Sequence, residues 1–476
     1  MTSPASVPIS VIADSTSPTE SEKLAHFALT LSMDAVPPAV LTLAKEHFLD
    51  VLGIALASSR FDFGRAVLQG VRELGEGQQA TAIGSGVRLP AASAALVNGV
   101  LAHGLDFDDT HIGAIYHASA QAMAAALAAG QANRASGQDV LLAFTVALEI
   151  GCRLGTVGAP DFHHRGFHPT ALCGTFAAAA AAGRLYQVDQ QALVWSLGLC
   201  GSQAAGVLEI GNSWLKRLHP GWAAHSGLAA VALGRAGFIG PDTVFEGSKG
   251  FYATHIQRVP TGDTLPTVAL GQTWQTLGIA LKPYPCCHFI HAFVDAALAL
   301  RTEMSRGQFA LDDIARIDCP LTPGLHKMVA EPRAVRIRPT NPYQALFSVQ
   351  YVVALALTRG RVDLATFYDE PLDSPDVLRV ADLTYCVDDL ESDFPTRFPG
   401  EVIVHLKDGR VFKHRKAASL GSPDIPLDRS AITAKFIANA TRAISLAAAE
   451  QLIERVLSLE AQASLDEIMA LCVAVA

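Results

Sequence analysis

The sequence predicts a mainly α protein, a large helical domain that carries an inserted, smaller α/β domain. Apolar residues recur at three- and four-residue spacing through most of the first 270 positions, strand-like alternation is confined to the stretch between about residues 315 and 416, and helical spacing returns in the tail. At 476 residues the chain exceeds one ordinary core, and half of its residues are hydrophobic, so two domains of unequal size are expected. The partition gives residues 18–270 and 425–476 to the helical domain, 271–424 to the insertion and 1–17 to a flexible polar arm.

Taken in order, Leu24, Phe27, Ala28 and Leu31 share one helical face after Ser21. Pro37 and Pro38 open a second helix through Leu41, Ala44, Phe48, Leu52 and Ala55. Short amphipathic spacing covers Arg65 to Glu73, and buried-type helices are expected at Ala91 to Leu101, Ala120 to Ala132 and Val140 to Leu154. His168 stands before Pro169 and a helix of very small residues, where the helix dipole attracts an anion. Lys216, Arg217, His219 and His225 gather around Trp222, ahead of an apolar helix that ends near Gly234 to Gly237.

The insertion begins at a break in helical rhythm, LKPYPCCHFIHAFVDA from Leu281. Strands are expected at ARIDCPL near Ala315, at DLTYCVDD near Asp382, and as a hairpin in EVIVHLKDGRVFKHR, with Asp408 and Gly409 at its turn. Between them the run from Asn341 is expected as one helix with Phe347, Tyr351 and Ala354 on one side. The tail from Ile432 to Cys472 matches the first half in composition and is expected to pack back onto it.

Charge excludes some functions. With 36 Lys and Arg against 45 Asp and Glu the formal net charge is −9, which argues against a nucleic-acid binder. The first residues carry no basic, apolar leader, and apolar runs such as ALCGTFAAAAAAG fall short of a spanning length, so a soluble, cytoplasmic protein with no membrane partner is expected. The eight cysteines lie in apolar surroundings without the spacing of zinc, redox or iron–sulfur motifs, so free buried thiols and no metal are expected.

The densest chemistry lies between His103 and Ser119, HGLDFDDTHIGAIYHAS, with three carboxylates and three imidazoles between two buried-type helices. Asp106, Asp108 and Asp109 are close enough to perturb one another's ionisation, with Thr110 and His117 within reach of the same pocket. Taken alone, the motif reads equally well as a solvated loop after a helix.

Five pieces in this order, LDFDDTH at Leu105, GFHP at Gly166, KRLHPGWAAHSG at Lys216, EGSKGFY at Glu246 and KPYPCCHFIHAFVDA at Lys282, resemble the MmgE/PrpD family, which includes 2-methylcitrate dehydratases, cis-aconitate decarboxylases and iminodisuccinate epimerases. The resemblance runs from Ser21 to about residue 420. It implies a helical domain, an α/β lid, a pocket between them, a homodimer, and pocket residues at Asp106, Thr110, His117, His168, Lys216 and Lys282. Catalytic candidates are then His117, His168, Asp106, Lys216 and Lys282, and substrate-binding candidates Thr110, Arg217, His219 and Tyr284.

The chemistry implied is proton movement beside a carboxylate in a small polycarboxylate, with no cofactor. Lys216, Lys282 and Arg217 suit the substrate carboxylates, His117 and His168 suit proton donor and acceptor, and Asp106 would orient or charge one of these bases, with Thr110 as a hydroxyl partner. A lyase, dehydratase or decarboxylase, ranks first, an epimerase of an amino- or imino-dicarboxylate second, and a non-catalytic family member last.

Overall fold

The structure, a computed structural model, describes residues 17–211 and 213–475. Apart from Ser17, the expected N-terminal arm therefore lies outside the described residues. Helices dominate, 21 of them α-helical among the described residues, with small sheets.

Local chemistry starts the helices. Thr19 Oγ1 accepts from Glu22 N (3.1 Å) while the Glu22 carboxylate accepts from Thr19 N (2.7 Å), a reciprocal cap on Glu20–Thr30. Proline occupies the first position of Pro38–Ser58 and of Pro169–Leu185, where its missing N–H costs nothing. Ser136 and Asp189 cap Gly137–Gly158 and Gln190–Gln203 through their side chains.

Small residues let the central helices approach backbone to backbone. A Cβ added at Gly99 would meet Gly221 Cα at 2.6 Å, and one at Gly227 would meet Ala179 N at 2.6 Å. The helix Leu215–Arg235 is thereby wedged between Ala91–Ala102 and Pro169–Leu185. It runs antiparallel to Ala91–Ala102, since His225 meets the Ala92 carbonyl and Arg217 the Gly104 carbonyl. Its N-terminus is therefore held over the acidic motif.

Buried apolar residues form two cores. One takes Leu24 to Leu281 together with Leu364 and the C-terminal helices through Ile432, Phe436, Leu452 and Cys472, and the other takes Cys286 to Leu406. The second core lies under a four-stranded sheet in the order Thr384–Asp388, Ile314–Leu321, Gly400–Leu406, Val411–Lys416, with the first pair parallel and the rest antiparallel. Val402, Val404 and Leu406 alternate inward against Phe293, Ala297 and Leu300 of the helix His291–Ser305. Within the first core, a two-residue antiparallel ladder, Thr110 opposite Ala280 and His111 opposite Ile279, ties the acidic motif to the segment that leads into the second core.

Three expectations are corrected. The basic cluster does not precede its helix: Lys216, Arg217, His219 and His225 lie within Leu215–Arg235, which runs on through Pro220 in its second turn at the cost of the amide that would otherwise reach the Lys216 carbonyl. The run from Asn341 is two helices, Pro342–Ala345 and Val349–Arg359, because Ser348 caps the second by accepting from Tyr351 N (3.0 Å). Gly137–Gly158, 22 residues, is long and apolar enough to cross a membrane by composition, yet 89% of its most apolar window is buried in the protein, and its Glu149–Arg153 pair (2.6 Å) is buried with it. It packs as a core helix.

Candidate active site

The three acids of the motif have different partners. Asp109 accepts at Oδ1 from Ala118 N and Ser119 N (3.1 Å each), so it neutralises the start of the helix Ser119–Ala132, and its Oδ2 meets His47 Nδ1 at 2.5 Å. Asp108 places both carboxylate oxygens 2.8 Å from His103 Nδ1. Asp106 turns instead toward two ammonium groups. Lys216 Nζ donates to its Oδ1 (2.5 Å), and Lys282 Nζ donates to its carbonyl (2.8 Å) and reaches Oδ1 at 3.3 Å.

Asp106 achieves this double presentation with a backbone φ of 52°, a left-handed conformation that aspartate tolerates better than most residues. Burial alone would raise its carboxyl, but the Lys216 and Lys282 charges win and hold it well below the usual carboxylate range. The perturbation among neighbouring aspartates expected from the sequence is replaced by two lysines. Among the described residues the Asp106 side chain pairs with Lys216 and Lys282 and with no imidazole, so it is not placed to orient one directly.

Each lysine arrives by a different route. The N-terminal turn of Leu215–Arg235 carries Lys216 across, and the two-residue ladder sets Lys282 two positions beyond Ala280. Lys282 is 1% exposed, which places an ammonium in the interior with Asp106 as its counter-charge. Arg217, one residue on, donates from Nε to the Gly104 carbonyl (2.6 Å) and lies between the rings of Phe63 and Tyr343, 4.6 and 4.9 Å from their centroids.

The histidines form a connected group beside these charges. His117 Nδ1 lies 2.7 Å from the Asp109 carbonyl and 3.3 Å from Thr110 Oγ1. His168, at the N-cap of Pro169–Leu185, places its Nδ1 2.8 Å from His219 Nδ1. Ring centroids are separated by 4.7 Å for His103 and His117, 5.8 Å for His117 and His168, and 6.0 Å for His103 and His168. Burial, reinforced by the Lys216 charge, holds His117 and His168 well below the ordinary imidazole value, and burial brings His219 down to about 4. At neutral pH these rings are uncharged.

Asp106, Thr110, His117, His168, Lys216, Lys282 and His219 thus meet in one buried place, with Arg217 at its edge. Tyr284 spends its hydroxyl on Asp295 Oδ1 (2.6 Å) and packs against the second core. The sequence reading missed His103 as a site residue, and it missed a supporting layer behind the motif: His47, Asp50 and Lys435. Lys435 Nζ is 2.7 Å from Asp50 Oδ1, donates to the Phe107 carbonyl (3.0 Å) and sits 3.9 Å over the Phe107 ring. The available signal was His47 and Asp50, a polar pair three residues apart among Phe48, Leu49, Val51 and Leu52. Metal-ligand spacing is absent along the chain, yet the fold brings one ligand nitrogen from each of His103, His117 and His168 within 4.8 Å of the others.

Comparison with known proteins fits this geometry. Residues 22–261 match the MmgE/PrpD N-terminal domain and residues 284–460 the MmgE/PrpD C-terminal domain. The chain is 28% identical over 467 residues to a cis-aconitate decarboxylase-like protein, oryM, of Aspergillus oryzae, covering 94% of this chain and 96% of that protein. It is 32% identical over 388 residues to the cis-aconitate decarboxylase of Homo sapiens, covering 79% and 78%, and 27% identical over 375 residues to that of Aspergillus terreus, covering 75% and 76%. These relatives support a lyase. With both halves of the chain matched in order and the paired lysines, acid motif and histidines brought together by the fold, the chain belongs to the MmgE/PrpD family.

Proposed function

We propose that the chain is a cofactor-independent lyase that removes carbon dioxide from a small unsaturated tricarboxylate of the cis-aconitate type. The observation that carries this reading is the pair of ammonium groups, part-buried Lys216 and buried Lys282, on one carboxylate beside two uncharged histidines. The names of the relatives favour decarboxylation over the dehydration that the same residues would also serve.

Asp106 engages both lysines. A substrate that brings several carboxylates competes for them, and Lys216 and Lys282 then hold the carboxylates that stay. The departing carboxylate loses its charge as carbon dioxide leaves, so it is best kept away from a cation. The electron pair of the broken carbon–carbon bond moves into the conjugated system, where the lysines stabilise the developing charge. A protonated histidine, His117 or His168, delivers its proton to carbon. One carboxylate and one proton become carbon dioxide and a carbon–hydrogen bond.

That proton arrives with the substrate. The lysine charges are among the causes that keep His117 deprotonated, and substrate carboxylates cancel them, so binding raises the imidazole toward protonation. Thr110 Oγ1 and the Asp109 carbonyl fix the His117 ring meanwhile.

The test is incubation of the purified protein in deuterated water with cis-aconitate, 2-methylcitrate, citrate and iminodisuccinate separately, followed by proton NMR. The expected result is carbon dioxide and a product carrying one deuterium from cis-aconitate alone. Deuterium entering iminodisuccinate with its skeleton intact would replace this reading with an epimerase, and olefin formed only from 2-methylcitrate would replace it with a dehydratase. The proposal extends to a homodimer, because Trp214, Leu218 and Trp222 recur every four residues and are 50%, 36% and 41% exposed, an apolar stripe beside the catalytic turn. Light scattering that gives the mass of a single chain would remove that part.

A further inference from the structure

We propose that His103, His117 and His168 form a site for one divalent transition-metal ion of zinc-like preference, and that its occupancy shuts the site to proton transfer. One ring nitrogen from each lies within 4.8 Å of the other two. Around tetrahedral zinc, nitrogens about 2.0–2.1 Å from the metal stand roughly 3.3 Å apart, so closure needs the rings to move inward by about an ångström.

The supporting bonds are those a histidine metal site uses. A ligating imidazole donates its other N–H to a carboxylate or a carbonyl, which fixes the ring and strengthens the ligand. Here His103 Nδ1 faces both oxygens of Asp108 (2.8 Å) and His117 Nδ1 faces the Asp109 carbonyl (2.7 Å). His168 Nδ1 faces His219 Nδ1 (2.8 Å), and coordination requires His168 to be the donor in that pair. With the Nδ1 edges occupied, the Nε2 edges carry the lone pairs.

An independent observation points to a ligand. His103 Nε2 is buried and has no hydrogen-bond partner among the described residues. Buried ring nitrogens seldom stay unpaired, because the desolvation penalty goes uncompensated. Its function is not supplied by the lyase reading, which uses His117 and His168.

Charge permits a cation despite the lysines. Asp106 already neutralises one of the two ammonium charges, and Asp108 adds a carboxylate directly behind His103. In the alternative set of His103, Asp106 and Asp108 the ligand atoms also lie within 4.8 Å of one another, but its carboxylates are committed to the lysines and to His103. Three imidazoles remain, a donor set that suits zinc, copper or nickel over magnesium or calcium. The fourth position is left for water or a substrate carboxylate. A bound ion takes the lone pairs of His117 and His168, so it inhibits; only this last clause rests on the proposed lyase chemistry.

The test titrates tag-free, chelator-stripped protein with cobalt(II) and follows the visible absorption of four-coordinate cobalt, then displaces it with zinc. The expected result is one equivalent per chain, with the band lost in both His103→Gln and His168→Gln. Asp108→Asn, which keeps all three ligands, should weaken binding by roughly 10–100-fold. Circular dichroism checks folding, and if one glutamine variant misfolds the other decides. No visible band, or a band that survives in a folded glutamine variant, overturns the site. Turnover of cis-aconitate should fall with one equivalent of zinc and return with chelator; binding without inhibition overturns the second clause. A protein that decarboxylates but binds no cobalt loses only the metal site, and one that binds cobalt but turns over no substrate loses only the lyase.

Discussion

The helical domain and the α/β domain handle charge in opposite ways. Around the acid motif the partners are buried and distant in sequence: Asp106 is met from 110 and 176 residues away by Lys216 and Lys282, and Asp50 from 385 residues away by Lys435. In the α/β domain the guanidinium pairs are nearer in sequence and more open to water, as in Arg361 with Asp363 and Arg359 with Glu370 and Asp376. Exposed pairs contribute about 0–1 kcal/mol each, whereas a buried pair must recover a desolvation cost that its attraction barely covers. Buried charge is therefore poor economy for stability alone, and its concentration at one place marks where the chemistry is done.

The largest expected effect breaks the buried side of this contrast. Lys216→Ala and Lys282→Ala should each cost about 2–5 kcal/mol in kcat/KM toward a tricarboxylate, because a buried anion site loses one of its two cations. Each variant leaves Asp106 one ammonium, so the fold should persist in circular dichroism and thermal melting. Near-normal kinetics in both would return the lysines to a structural role.

Next in size is the stability of the neutral buried histidines toward acid. Burial pushes His111, His163 and His219 down to about 4 and His288 to about 3, against an ordinary value of 6.5. The unfolded chain then binds more protons than the folded one, so the contribution is full above the unfolded value and is lost as pH falls through it toward the folded values. Asp50 and Asp295, which burial raises, titrate with the opposite sign and offset part of this loss. The urea midpoint should fall steadily from about pH 7 to about pH 5. A flat midpoint over that window would mean that these rings carry no such linkage.

A subtler effect sharpens the comparison, since it reads the charge balance of the site without turnover. If substrate carboxylates cancel the lysine charges, a tricarboxylate inhibitor should bind with proton uptake, seen by calorimetry as a heat that changes with the ionisation enthalpy of the buffer. His117→Gln should reduce the uptake. Equal heats in all buffers would show that the histidines do not respond to the lysines.

Much of this was legible along the chain because the relevant physics is local. Pro38 and Pro169 mark helix starts, Asp408 and Gly409 mark the hairpin between Gly400–Leu406 and Val411–Lys416, and the motif residues name their own chemistry. Pro220 misled, since a proline in the first turns of a helix and one ahead of it look alike in sequence. What stayed hidden is tertiary. That Asp106 serves two lysines and that Lys435 reaches Asp50 depends on segments 110 to 385 residues apart meeting, and that Asp108 serves His103 depends on how the loop between them folds back. The long helix Gln190–Gln203 also went unread, although Asp189 caps it.

The smallest expected effect tests the exposed side of the contrast. Arg359 pairs with Glu370 (3.0 Å) and with Asp376, and Arg361 binds Glu370 as well, so the four form the densest exposed network among those named above. Its members are separated by 17 residues or fewer and lie on the flank of the helix Val349–Arg359, whose other face is buried in the second core. Water already solvates these groups, and holding long side chains in one geometry costs entropy that offsets the attraction. Arg359→Ala should therefore lower stability by no more than about 1 kcal/mol, less at high salt, and leave turnover unchanged. A loss of several kcal/mol, or a change in kcat, would show that the α/β domain also stores functional charge at its surface and would erase the distinction between the two regions.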